Sequence, residues 1–261
     1  MKNKKPVLLT FLTFCLYALM LWGSAGPQKV VAPPSIRVGS YDYSPPVAHQ
    51  AKSANIVFLL VDPAYHEKFR YGTYKLFSDF SKAMAADFNE VMTAKGYTVR
   101  GPYEFYDQVV YSDKKDSDLL LTVDIDLDLN DQNIKWFGYT YRAGGTNRSP
   151  VYQTEYTYGG SFVLAGKVNL VVAESLTREK LWAKSIPLKQ KEIVVKTFYS
   201  QPKESNYQFS LTKDPDVMNP IISVLESYYK EVLATAWNHL DPNELNQLKK
   251  QVQEIRERKV Y

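Results

Sequence analysis

A chain of 261 residues with 32 Lys and Arg against 28 Asp and Glu carries a formal charge of only +4, too little for a general field that would gather nucleic acid or anionic lipid. Its single cysteine, Cys15, excludes intrachain disulfides and cysteine-rich metal sites. Three histidines in all leave little material for imidazole chemistry.

Lys2, Lys4 and Lys5 precede an apolar stretch at 7–22 broken only by Thr10 and Thr13, and Gly23, Ser24, Ala25 and Gly26 follow it. A basic start, a short apolar core and a small-residue exit predict a secretory signal over residues 1–25, cleaved after Ala25. The stretch is only a little shorter than a membrane span, so an uncleaved N-terminal membrane tether is the first alternative. Acylation of Cys15 is the second, although Phe14 stands where a small residue is needed. Removing the signal leaves 29 basic residues against 28 acidic ones and no thiol, which suits an exported protein in the periplasm or on the outer-membrane surface.

Residues 26–52 carry Pro27, Pro33, Pro34, Pro45 and Pro46 and no apolar period. Such a stretch buries too little to offset ordering its backbone, and we read it as a tether. Residues 53–261 suit a single domain. It opens with a continuous apolar run at 55–61, ended by Asp62 and Pro63, that reads as a strand buried on both faces. Phe77, Phe80, Met84, Phe88 and Val91 form one stripe at helical spacing. Gly96 supplies the stop, so a helix is expected over 73–95 and a short strand over 97–99.

Residues 119–129 alternate, with Val123, Ile125, Leu127 and Leu129 on one face and Asp124, Asp126 and Asp128 on the other. Strands are also expected over 162–172 and 181–186, joined by the polar turn 174–180. Asn219 and Pro220 read as a helix cap and first-turn proline ahead of a buried stripe ending at Leu240. Asp241, Pro242 and Glu244 start a second helix carrying Leu245, Leu248, Val252 and Ile255. The order implies an α/β (α+β) fold: a mixed, mainly antiparallel sheet with helices packed on one face and a protruding aromatic hairpin.

No phosphate cradle or nucleophile elbow is present. His49, His66 and His239 are not at ligand spacing. The aspartate row does not fit a calcium loop, because the positions that need glycine and a bidentate acid hold Leu129 and Lys135. A solvated sheet face meeting Lys or Arg on a neighbouring strand accounts for it. No catalytic residue, metal site or cofactor is implied. Arg256, Arg258 and Lys259 suit the C-terminal end of a helix dipole.

The segment 134–158 stands out. Arms at 136–142 and 152–158 would place Phe137, Tyr139 and Tyr141 on one face of the first and Tyr152, Tyr156 and Tyr158 on one face of the second, joined by turn residues at 143–150. Tyrosines beside Arg142 and Arg148 form a candidate site for a sugar or a protein, since phenol rings bury area while keeping a polar edge and arginine grips carboxylates. The alternative is cross-strand aromatic pairing that only steadies the hairpin.

The run from Asp118 through Leu119, Leu120, Leu121 and Thr122 to Val123, the strand pair at 166–172 and 179–193, and the closing helices at 221–259 resemble the neuraminyllactose-binding hemagglutinin family of flagellar-sheath adhesins. The layout is similar, more loosely, to periplasmic domains of outer-membrane accessory proteins such as the curli-secretion lipoprotein. The resemblance implies an envelope location, an adhesin-like role and a sialylated glycan as ligand. The family's members are lipoproteins with a lysine-rich segment, whereas here that region is the tyrosine-rich 134–158. The combined reading is a non-enzymatic envelope or surface protein whose partner is an envelope protein or a glycan. The alternatives are an accessory or assembly component of an outer-membrane or flagellar-sheath machine, marked by homo-oligomer formation, and a carboxylate-dependent glycosidase. Intact mass of protein from the cell envelope should show a chain beginning at Gly26; a full-length mass or a diacylglyceryl adduct would overturn that expectation.

Overall fold

The computed structural model describes residues 35–46, 54–199 and 214–258; the expected signal, Cys15, His49 and the rest of the expected tether lie outside them. Strands β1 (Val57–Val61) and β2 (Ala64–Tyr65) lead to helix α1 (Lys75–Ala94). Strand β3 (Thr98–Tyr103), a 3₁₀ turn at Tyr106–Gln108 and the short helix α2 (Tyr111–Asp116) follow. Three long strands, β4 (Leu119–Thr146), β5 (Ser149–Glu174) and β6 (Lys180–Tyr199), precede helices α3 (Pro215–His239) and α4 (Pro242–Arg258). The sheet order is β3-β1-β4-β5-β6, with β2 beside β4. β1 runs parallel to β3 and β4, and β4, β5 and β6 are mutually antiparallel.

The alternation read from β4 governs the layers. Leu119, Leu121, Val123, Ile125 and Leu127 face one core with Leu164, Val168, Leu170 and Val172 of β5. The α1 stripe (Phe77, Phe80, Met84, Phe88, Val91) and the α3 stripe (Ile221, Leu225, Tyr228, Val232, Ala236) cover that face, and Leu245, Leu248 and Val252 of α4 join them. Full burial of each such side chain contributes roughly 1.5–3 kcal/mol. β1 is buried on both sides, because Leu59 packs with Val109 and Leu120 on the reverse face while Phe58 and Leu60 join the main core.

Several elements differ from the sequence reading, and β3 runs on to Tyr103. β4 and β5 do not end with the core but continue as one ladder to the pair Thr146 and Ser149, so the aromatic hairpin is their distal end. β6 runs to Tyr199 through Pro187, which an edge strand tolerates. α3 begins at Pro215, not Ile221. Asp214 caps it by accepting the Asp216 N–H at 3.1 Å, and Pro220 lies inside the helix. Asn219, read as a cap, instead accepts the Arg37 N–H at 2.9 Å through Oδ1.

That contact belongs to the largest departure. Residues 36–46, assigned to the tether, lie along the domain as a strap. The Arg37 guanidinium engages both carboxylate oxygens of Glu226 (2.5 and 2.9 Å) and donates to Ser223 Oγ at 2.7 Å. The Arg37 hydrogen bonds hold the Glu226 carboxyl below its ordinary range against the opposing effect of burial. Tyr41 packs edge-on against Phe80 and tilted against Tyr229. Tyr43 N–H and Tyr229 Oη both donate to Asp87 Oδ2, at 2.8 and 2.6 Å. Composition suggested a tether because proline and small residues dominate; an aromatic and an arginine with built partners suffice to hold this part down.

A second polar knot closes the opposite end of the chain. Glu174, fully buried at the end of β5, takes Arg256 of α4 through Nε (2.8 Å) and Nη2 (2.6 Å). Its other oxygen accepts the N–H groups of Leu176 and Thr177. Arg256 also donates to the carbonyls of Lys115 and Ser117, so α4 is bolted to the α2–β4 junction and to the β5–β6 turn. Burial is the strongest single influence on Glu174 and raises its pKa. The Thr177 N–H, Arg256 and the Leu176 N–H together outweigh burial and hold the carboxyl below its ordinary value. A carboxyl held low in the folded state stabilises above the unfolded pKa, and that contribution is lost as pH falls through the folded one. Arg256→Ala leaves a buried carboxylate without its cation, so chemical denaturation should show a loss of about 3 kcal/mol at neutral pH. The variant's stability should also fall less steeply on acidification than that of the parent.

Candidate functional site

Among the described side chains the last core residue on β4 is Leu129, and β5 rejoins the core at Ser161 and Phe162. Beyond that level the sheet leaves its helical cover and becomes an arm. From Lys135 to Thr146 it extends roughly 40 Å at about 3.4 Å per residue. Among the described residues, β6 accompanies β5 as far as the pair Tyr156 and Tyr199, and the part beyond that pair is two-stranded. The strands close through a two-residue turn at Asn147 and Arg148. Gly145 is required there: its φ is +82°, and a Cβ would stand 2.3 Å from the Ser149 carbonyl oxygen.

The arm presents rings to solvent. Phe137 is 60% exposed, Tyr139 71% and Tyr152 64%, so these side chains face solvent and do not support the core. Tyr139 and Tyr141 stack at 6.2 Å between centroids, and Thr140 and Thr154 share a hydroxyl hydrogen bond of 2.8 Å across the strands.

The register separates the predicted site residues. Tyr139 pairs with Glu155 and Tyr141 with Gln153, whereas Arg142 pairs with Tyr152. Opposed residues share a face and successive residues alternate, so Tyr139 and Tyr141 lie on one side of the ribbon and Arg142 and Tyr152 on the other. The candidate site of tyrosines beside Arg142 and Arg148 is therefore divided between two faces. Positions 156 and 158 pair with Gly138 and Trp136; the side chains of Tyr156 and Tyr158 are outside the described residues. Arg142 is already engaged. It donates to Asn147 Oδ1 and to the carbonyls of Gly145 and Gly144, at 3.1, 3.1 and 3.4 Å, and so steadies the turn. Arg148 sits exposed at the tip. Sequence periodicity gave each strand's alternation but not the register between strands, on which the relation of the two faces depends.

The other polar residues singled out from the sequence have local partners. Asp124 accepts from Asn169 at 3.1 Å, Asp128 accepts from Asn130 at 2.7 Å, and Asp126 pairs with Lys167 at 3.7 Å. Of the three, only Asp126 meets the expected cation on a neighbouring strand. His66 Nδ1 accepts the Lys68 N–H at 3.4 Å, and His239 ends α3. Among the described residues no group of three His, Cys, Asp or Glu is placed to hold a metal ion. Away from the arm, a cavity of about 190 Å³ lies beneath the strap, lined by Ile36, Val38, Tyr41, Leu76, Met218 and Ile222.

No family model matches the chain, and no curated protein matches it. Among solved structures, the chain is similar to a neuraminyllactose-binding hemagglutinin homolog from Helicobacter pylori, with a TM-score of 0.55 and 14% identity over 83% of this chain and 98% of that one. A DUF330 family protein from Xanthomonas campestris has a TM-score of 0.31 at 10% identity over 82% and 96% of the two chains. A lipoprotein from Neisseria meningitidis has 0.27 at 14% identity over 70% and 99%. The last two are too distant to carry an argument. The first shows a shared fold.

Successive aspartates on one face of an extended strand stand about 7 Å apart, and each already has a neighbour, so the row has no ligand geometry for calcium. Thermal melts in chelator and in added calcium should coincide. A calcium-dependent rise in midpoint that Asp126→Asn removes would overturn this account.

Proposed function

We propose that the chain is an exported, non-enzymatic protein of the cell envelope that captures a protein partner on the faces of its arm. The observation that carries this reading is the exposure of Phe137, Tyr139 and Tyr152 on a ribbon that leaves the core. Soluble domains seldom hold out several large rings on a regular element unless something covers them. The basic and apolar N-terminal segment supports export.

A sialylated glycan is the second reading, favoured by the fold shared with a hemagglutinin homolog. The ribbon geometry favours a protein instead. Sugar sites are concave and gather polar groups around one ligand, whereas here Arg142 is held by the turn and lies across the ribbon from Tyr139 and Tyr141. A flat strip of rings suits a long, shallow contact with another polypeptide.

Phe137→Ser, Tyr139→Ser and Tyr152→Ser together should reduce partner binding by at least about 100-fold while leaving the melting temperature nearly unchanged, because exposed rings contribute little to the core. The partner is to be trapped first by a photo-reactive residue at position 152 in intact cells, where a discrete protein adduct is expected. Saturable binding of sialyllactose to the purified protein, lost in Arg148→Ala, together with no protein adduct, would replace the protein reading by the glycan one.

A further inference from the structure

The arm has two edges, and they are built differently. On the β5 side, β6 accompanies the arm as far as the pair Tyr156 and Tyr199 and, nearer the root, carries the usual protections against further pairing. These are Pro187, a register shift between Leu164 and Gly166, and lysines at 180, 184, 189 and 191. On the other side, β1 and β2 accompany β4 only as far as Ile125. From Asp126 to Thr146 no strand among the described residues lies along that edge. Residues 136–141 within it contain no charge and no proline and are rich in strand-forming types, the composition that invites a further strand.

The pattern of this open edge is self-complementary. Phe137, Gly138, Tyr139, Thr140 and Tyr141 read ring, small, ring, small, ring in either direction. Two register shifts, between Gln132 and Lys135 and between Arg142 and Gly144, lie on either side of Tyr139, and each adds one residue to β4. We propose that the occupant of the β4 edge is a second copy of this chain, paired antiparallel about a two-fold axis at Tyr139.

In that pairing Tyr139 lies opposite itself and Phe137 lies opposite Tyr141 of the second copy, so ring meets ring on one face throughout. No like charges are opposed, because Lys135 comes level with Ala143 and Arg142 with Trp136. Counting outward through one register shift on each copy, Thr146, the last residue of β4, comes level with Gln132 of the second copy. The exposed Arg148, in the turn just beyond it, therefore lies at the end that carries Asp128 of the second copy, an exposed carboxylate whose own-chain partner is Asn130. The opposite charges of tip and root thus meet twice, once at each end of the paired edges. Such an interface is isologous and closes at two copies, so an otherwise adhesive edge ends in a dimer and not a fibre. The contact uses main-chain edges and leaves both faces of the arm open, and so it stands whether or not the faces bind a protein.

Single cysteines in the mature chain, which is expected to have no other thiol, test the pairing; in a retained-signal form Cys15→Ser serves as the background. Under mild oxidation Tyr139→Cys should form a covalent dimer, since opposed Cβ atoms lie about 4.5–5.5 Å apart. Phe137→Cys alone should not, because its counterpart lies four residues along, about 13 Å away. Phe137→Cys with Tyr141→Cys should cross-link again. By sedimentation the parent should be a dimer and Tyr139→Lys, which sets two ammonium groups at the axis, a monomer with unchanged melting. Arg148→Asp and Asp128→Arg should each weaken the dimer and together restore it. A parent chain that stays monomeric, cross-linking equal at positions 137 and 139, or a dimer indifferent to Tyr139→Lys would each overturn the proposal. Asp128→Arg should weaken the dimer with face-directed partner binding intact, and Tyr152→Ser should weaken partner binding with the dimer intact, which separates this inference from the function proposed above.

Discussion

The β4–β5 ladder is the constraint on which everything else rests. One antiparallel pairing runs from Leu119 opposite Glu174 to Thr146 opposite Ser149. Near its root the register is pinned by burial, since a slip of one residue would turn Leu121, Val123, Ile125 and Leu127 to water and bring the aspartates inside. It is pinned again at Gly166, where a Cβ would stand 2.2 Å from the Asp126 carbonyl oxygen. The arm has no core of its own, so its order is inherited from that root. What the arm shows on each face is decided by residues far from it.

Around this ladder, buried polar contacts fix parts that apolar packing alone would leave free to slide. Tyr228 of α3 places its hydroxyl 2.9 Å from the Leu164 carbonyl and 2.6 Å from that of Lys189, at the register shift where the β5–β6 ladder is interrupted. Glu174 with Arg256 locks α4 to the end of β5, and Asp87 gathers Tyr229 and the strap's Tyr43. In each case a group that would be costly to bury alone is satisfied only in one arrangement, which adds specificity to the less directional hydrophobic contacts.

The functional reading follows from shape. A root covered by helices and an arm that no described helix covers divide the described residues into a part that holds and a part that reaches. Rings on both faces, with Arg142 kept for the turn, give a surface suited to extended contact and poorly suited to enclosing a small ligand. The edge of β4, along which no described strand runs beyond Ile125, is a third surface, separate from the two faces because it presents the main chain.

Much of the fold was legible in the sequence because it is written in periods. The α1 stripe at Phe77, Phe80, Met84, Phe88 and Val91 and the alternation of β4 each state which side is buried without reference to any other element. The start of α3 was misplaced because Asp214 with Pro215 and Asn219 with Pro220 carry the same local signal, and only the Arg37 contact shows that Asn219 serves elsewhere. Arg256 read as a helix-end cation because its partner Glu174 is 82 residues away. The strap was hidden for the same reason, since Arg37 and Tyr41 find their partners on α1 and α3. At the candidate site the sequence determined which residues alternate along each strand, and the exposed rings were among those it marked. Whether the two tyrosine sets share a face depends on how one strand is set against the other. That offset is fixed by burial at the root and by the turn at Asn147 and Arg148, so only the tertiary structure decided it.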